Sequence, residues 1–243
     1  MEQWDPLWET GGFPGGTQAF PKWQQEYLSQ MAQRELPGRG MPTRPAVTER
    51  LFRMLAAVHG QPWNASQVGK SLGVSYHTAN SYVNFLEQAY LIRRLPAYKA
   101  NTRKRLVKSS KVYWRDSGLL HALLGLNGDL RDQYWIGASW EGWIIEQILG
   151  HLQSTGQSHQ AHYLRTSDRK EIDLVLEYRG ELWALEIKLT SAPDLNDLKR
   201  LADTARLINA DRVALISRTR NPLPGTKAAS LNLDILLDEL TPT

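Results

Sequence analysis

Cysteine is absent from the 243 residues, so disulfides, thiolate zinc sites and cysteine nucleophiles are excluded. Long apolar runs are also missing, with nothing near the ~20 residues that span a bilayer. The opening Met1-Glu2-Gln3-Trp4-Asp5 lacks the basic-then-apolar pattern of a secretory signal. Together these absences point to a cytoplasmic protein with no membrane partner. Between Arg93 and Arg115 there is no acidic residue, yet nine of the chain's 29 basic residues fall there. They are Arg93, Arg94, Lys99, Arg103, Lys104, Arg105, Lys108, Lys111 and Arg115. A block so pure in sign repels itself unless a polyanion binds it, although a solvated basic loop has the same composition.

What is present divides the chain. Residues 1–45 are rich in Gly, Pro and Trp, with one helix near Trp23 to Arg34, and have too few periodic apolar positions for a core of their own. They read as an arm. From Val47 the spacing is helical through Leu51, Met54, Leu55 and Val58. Asn64 and Gln67 resemble a capping box that opens a short helix to Leu72. Gly73-Val74 makes a tight turn, and Ser75 caps a helix carrying Ala79, Val83, Leu86 and Tyr90. The strip follows, with Leu91–Leu95 and Leu106–Lys108 alternating as two strands of a basic hairpin. That order predicts a winged helix-turn-helix over 46–126, ending in a capped helix at Asp116–Leu126. Its third helix would present Tyr76, His77, Asn80, Ser81 and Asn84 to DNA, with Arg103, Lys104, Arg105, Lys108 and Lys111 beside it. An exposed polar face or a protein-docking module fits the same pattern.

Residues 127–243 read as a mixed α/β sheet. An amphipathic helix covers Trp140 to Leu152. Strands are expected at His162–Arg165, Ile172–Tyr178, Leu182–Leu189 and Arg212–Ser217, with a helix capped by Asp194 and an edge strand within Leu231–Leu237. A two-residue turn at Arg179-Gly180 pairs Tyr178 with Glu181. Asp173 then opposes Glu186, and Glu171 opposes Lys188, all four on one face. Opposed carboxylates repel unless a cation lies between them, and Mg²⁺ or Mn²⁺ takes one or two carboxylates while keeping water and phosphate oxygens. A solvated strand end with an ion pair is the bland alternative. His151, His159 and His162 suit no single helix face and are set aside as ligands. Trp140, Trp143 and Trp183 fall at core-like positions rather than as stacking platforms.

Asp173 followed by Glu186-Ile187-Lys188 resembles the PD-(D/E)xK nuclease motif. The resemblance implies a restriction-endonuclease-like mixed sheet flanked by helices. It adds a glutamate from the preceding helix, which falls on Glu141, with Glu146 as second choice. Asp173, Glu186 and Glu141 would then hold the metal, and Lys188 and Glu171 complete the catalytic set. More narrowly, Gly11-Gly12-Phe13-Pro14, the winged-helix block through Leu86-Glu87, Lys111 through Leu119, Trp140-Glu141, Glu171 through Val175 and Glu186-Ile187-Lys188 resemble the C-terminal part of bacterial and archaeal AAA-type ATPases that carry a DUF4143 domain. That family implies an N-terminal P-loop ATPase module, from which this chain departs, so residues 1–45 read as the end of that module's lid region, and it implies an ATPase module or subunit as partner. Val68-Gly69-Lys70-Ser71 is a decoy, because Asn64 stands where a phosphate-binding loop needs Gly, so no ATP site is expected. Three functions follow: a Mg²⁺- or Mn²⁺-dependent nuclease on DNA, an inert DNA-binding module, or a regulatory module that docks an ATPase.

Overall fold

The structure, a computed structural model, describes residues 4–99, 106–126, 129–223, 225 and 228–241. They form two compact units, the first within Glu2–Arg94 and Lys111–Trp143, the second within Leu95–Ser110 and Ile144–Thr243.

The first unit is mainly helical: α1 (Asp5–Thr10), α2 (Lys22–Gln30), α3 (Leu36–Gly38), α4 (Pro45–Ala57), α5 (Ala65–Leu72), α6 (Tyr76–Gln88) and α7 (Ser117–Leu124). Between α2 and α3 the chain continues as one π-helical stretch over Met31–Glu35. Strands β1 (Gln61–Pro62), β2 (Ile92–Leu95) and β3 (Lys111–Trp114) make a small sheet in the order β1-β3-β2. The caps were legible: Asn64 accepts from Gln67 N, Ser75 from Thr78 N and Asp116 from Leu119 N. Each satisfies a helix N-terminal N–H that has no intrahelical acceptor. Gly69 of the decoy serves packing, since a Cβ there would lie 2.9 Å from the Val74 carbonyl in the turn before α6.

Two expectations change here. The arm is part of the core: Trp8, Leu28, Met31, Ala32, Leu36 and Met41 are buried, most of them in one cluster with Leu51, Leu86 and Trp114. Short, irregular segments bury side chains without a readable period. Asp116 also ties this segment down, its carboxylate accepting from Gly12 N at 2.8 Å as well as from α7. Burial nevertheless pushes this carboxyl above its usual range. The partner of β2 in the sheet is β3, not Leu106–Lys108. Leu106 instead bridges Thr166, and Val107 N donates to Arg165 O, both in the second unit.

Helix α8 (Ile136–Ser154) leads into the second unit, a five-stranded sheet in the order β4-β5-β6-β7-β8: β4 (His159–Arg165), β5 (Glu171–Tyr178), β6 (Glu181–Ile187), β7 (Arg212–Ile216) and β8 (Ala228–Leu231). Pairing is antiparallel through β6 and parallel from β6 to β8. Helix α9 (Leu195–Ala205) follows β6 and buries Leu201 and Ala205 against Val175, Ala184, Val213 and Leu215. The final apolar run is not an edge strand. Ala228–Leu231 takes that place, and Leu233–Leu240 forms α10, with Asn232 accepting from Ile235 N.

The turn at Arg179-Gly180 is as expected, with φ of 53° and 78° and Tyr178 paired to Glu181. Two positive φ values favour Asn over Arg at the first position. Arg179→Asn is therefore expected to stabilise the protein by about 0.5–1 kcal/mol, read as a higher urea midpoint.

Candidate functional site

In the second unit, β5 and β6 pair from Tyr178↔Glu181 to Leu174↔Leu185. Beyond that point β6 follows β7, through Glu186↔Leu215, Ile187↔Ile216 and a bond from Lys188 N to Ile216 O. The expected backbone opposition of Asp173 to Glu186 and of Glu171 to Lys188 therefore does not form. The reason is local: the Asp173 side chain, not its backbone, takes the next donor, with Oδ2 accepting from Ile187 N at 2.8 Å. A charged hydrogen bond of this kind fixes the carboxylate at the strand end.

Around it the side chains still gather. Lys188 Nζ lies 3.3 Å from Glu186 Oε1 and 3.9 Å from Asp197 Oδ1. Asp197 is also ion-paired to Arg200, one turn along α9. Glu171 turns to β4, its Oε2 lying 3.7 Å from Arg165 Nε. Glu171, Glu186, Asp197, Arg200 and Lys170 line one cleft of about 300 Å³. Asp197 is the member that pattern reading missed. It stands three residues after the capping Asp194, and reads there as an ordinary first-turn acid. Only the docking of α9 onto the β5–β6 face brings it to Lys188.

The expected third carboxylate is elsewhere engaged. Glu141 belongs to the first unit, where Oε1 accepts from Lys111 Nζ at 2.8 Å and from the Tyr113 hydroxyl at 2.5 Å. Lys111 is 2% exposed, so it is a buried partner of Glu141 rather than a surface contact for phosphate. Glu146, the second choice, is buried within the second unit. Among the described residues no three His, Asp or Glu side chains group as a metal site. Of the expected metal ligands, Asp173 and Glu186 remain in the second unit, the first holding Ile187 N and the second beside the Lys188 ammonium.

For nucleic acid, α6 offers Tyr76, half exposed, with its ring 3.8 Å from that of His77. Asn84 is exposed as well. Asn80 is drawn inward, its Oδ1 accepting from Trp63 Nε1 at 2.7 Å. Of the basic strip, Arg94 is held by Glu87 and Arg115 sits 5.3 Å from the Tyr90 ring. Lys99 and Lys108 are exposed, and Arg103, Lys104 and Arg105 lie outside the described residues. No helix of the described residues is long and apolar enough to cross a membrane.

A family model described as a domain of unknown function, DUF8612, matches residues 1–130, and a second, DUF4143, matches residues 136–233. The chain is 35% identical over 205 residues to the uncharacterized proteins Rv2008c of Mycobacterium tuberculosis and Mb2031c of Mycobacterium bovis. The alignment covers 82% of this chain and 46% of each relative, so the chain spans about half the length of these curated relatives. No solved structure matches it significantly.

Proposed function

The chain belongs to the DUF8612 family and carries a DUF4143 domain, and from that premise we propose a DNA-binding protein whose second unit is a PD-(D/E)xK nuclease-like, Mg²⁺- or Mn²⁺-dependent phosphodiesterase. The observation that carries this reading is the end of β6, where Glu186 and Lys188 meet at 3.3 Å beside an Asp173 carboxylate pinned to Ile187 N. Asp173 and Glu186 would hold the ion, which supplies polarisation of the phosphodiester and a more acidic water. Lys188 places a positive charge where negative charge develops on phosphate oxygens. Glu186 and Asp197 hold that ammonium in place. Three helices with a small sheet, the third helix opening on the exposed pair Tyr76 and His77, support a winged-helix reading of the first unit, and the second unit separately offers the exposed Lys108.

Purified protein is expected to nick supercoiled or single-stranded DNA with Mn²⁺ and not with chelator. Lys188→Ala and Asp173→Ala are each expected to slow cleavage by at least about 100-fold. Undiminished cleavage by both variants rules out this site. One observation favours a second reading, an inert DNA-binding module: Glu141 is already committed to Lys111 and Tyr113. Salt-sensitive DNA binding without cleavage under any divalent ion selects it.

A further inference from the structure

A second cavity, of about 230 Å³, opens on the other side of the α9 N-terminus, at the carboxyl ends of β6 and β7. Its walls include Leu198 and Leu215, and its rim carries Leu195 and Leu223. Those two are 66% and 56% exposed, two of only six large hydrophobic side chains so exposed among the described residues. Apolar side chains left in water at the lip of a cavity mark a binding site better than scattered ones do. The polar lining is as distinctive. Ser230 is 4% exposed, and its hydroxyl has no hydrogen-bond partner among the described residues, although its backbone bonds Leu223 in both directions. A buried hydroxyl without a partner costs stability, which a ligand atom would restore. Thr219 and Asn221 add a hydroxyl and an amide at the same cavity. Crevices beyond the carboxyl ends of strands are where open α/β sheets bind ligands.

We propose that this cavity receives one unstacked nucleobase of a DNA strand whose phosphates pass Lys188. This rests on the reading of the second unit as DNA-acting. The volume is below the ~300 Å³ of drug-sized pockets and suits a single ring system. Leucines can cover the two faces of a base, while Ser230, Thr219 and Asn221 meet its hydrogen-bonding edge. Basic residues border the cavity in sequence, Lys188 just before the loop 189–194 and Arg218 and Arg220 on either side of Thr219. The substrate class is therefore single-stranded DNA, or a duplex end that frays.

The test uses the full chain and a short oligothymidylate carrying one 2-aminopurine, compared with the same strand bearing an abasic site. An aliphatic cavity unstacks the probe without quenching it, so its emission rises on binding. Ser230→Ala removes the lone hydroxyl and is expected to weaken binding about tenfold on the intact strand. It should leave binding of the abasic strand unchanged and should raise, not lower, the thermal midpoint of the free protein. Leu198→Trp, which fills the cavity, abolishes the emission change. Competition by AMP shows that a free nucleotide base also enters, whereas indifference to AMP shows that the strand is required. Strand binding by the wild type with no emission change, and equal affinity in both variants, overturns the nucleobase site and leaves the DNA reading intact. No strand binding at all, at low salt, overturns both.

Discussion

Replacing Glu141 with alanine is expected to destabilise the first unit by about 3–5 kcal/mol, because it strips the carboxylate from a lysine sealed in the interior. The Lys111 side chain is 3% exposed and that of Glu141 17%, so water cannot take over the lost charge. The Tyr113 hydroxyl loses its acceptor in the same step. Glu141→Gln keeps the shape and an acceptor oxygen and should lose less. Urea unfolding followed by tryptophan emission reads both. The pair Lys111→Met with Glu141→Leu, which removes both charges together, is expected to recover most of the loss. A Glu141→Ala protein that unfolds at the wild-type midpoint while losing DNA cleavage would instead make Glu141 a participant in the chemistry.

Acidification is expected to weaken the same unit. His59 and His121 are both buried, and desolvation pulls them from 6.5 to about 3 and about 4 respectively. Their neighbours show why the neutral forms are required. His59 Nδ1 accepts from Trp114 N at 3.0 Å. His121 Nδ1 donates to Glu9 O at 2.8 Å, and its Nε2 lies 2.6 Å from Ser139 Oγ. Ser139 in turn accepts from Trp8 Nε1 at 3.0 Å. The neutral His121 ring then accepts at Nε2 the proton that Ser139 donates, which completes the chain. In the unfolded chain both rings take up protons near pH 6.5, so between that pH and the folded values the unfolded state binds more protons. Stability is therefore full above pH 7 and falls as the pH drops. Between pH 7 and pH 5 the two rings together account for about 4 kcal/mol. Urea midpoints at the two pH values check the size. Histidine ring resonances that stay neutral until the fold is lost check the cause. A midpoint unchanged between pH 7 and pH 5 would refute it.

Much of this architecture was legible where one short-range rule acted alone. The hairpin register about Arg179-Gly180 followed from alternation and turn length, and held from Tyr178 to Leu174. It failed one residue further on, where a side chain replaced a backbone acceptor, and alternation carries no information about such a swap. The caps at Asn64, Ser75, Asp116 and Asp194 were readable because each bonds an N–H two or three residues ahead. The run after Leu231 was not, since a short apolar stretch fits helix and strand alike and only Asn232 tips it. Of the site residues, Asp173, Glu186 and Lys188 meet at the end of β6, while Glu171, Glu141 and Lys111 take other partners. Each of those three is claimed by a partner whose position no local pattern specifies: Arg165 on β4 for the first, and each other across 30 residues for the other two.

The bond from Gly12 N to Asp116 spans 104 residues, and it belongs to a unit whose two stretches are separated by residues 95–110. During synthesis the first 94 residues cannot complete their core, because β3, α7 and the lysine that meets Glu141 are still to be made. The first unit is complete only once Trp143 has been made, and residues 95–110, which belong to the second unit, are synthesised in its middle and must wait for the strands that follow.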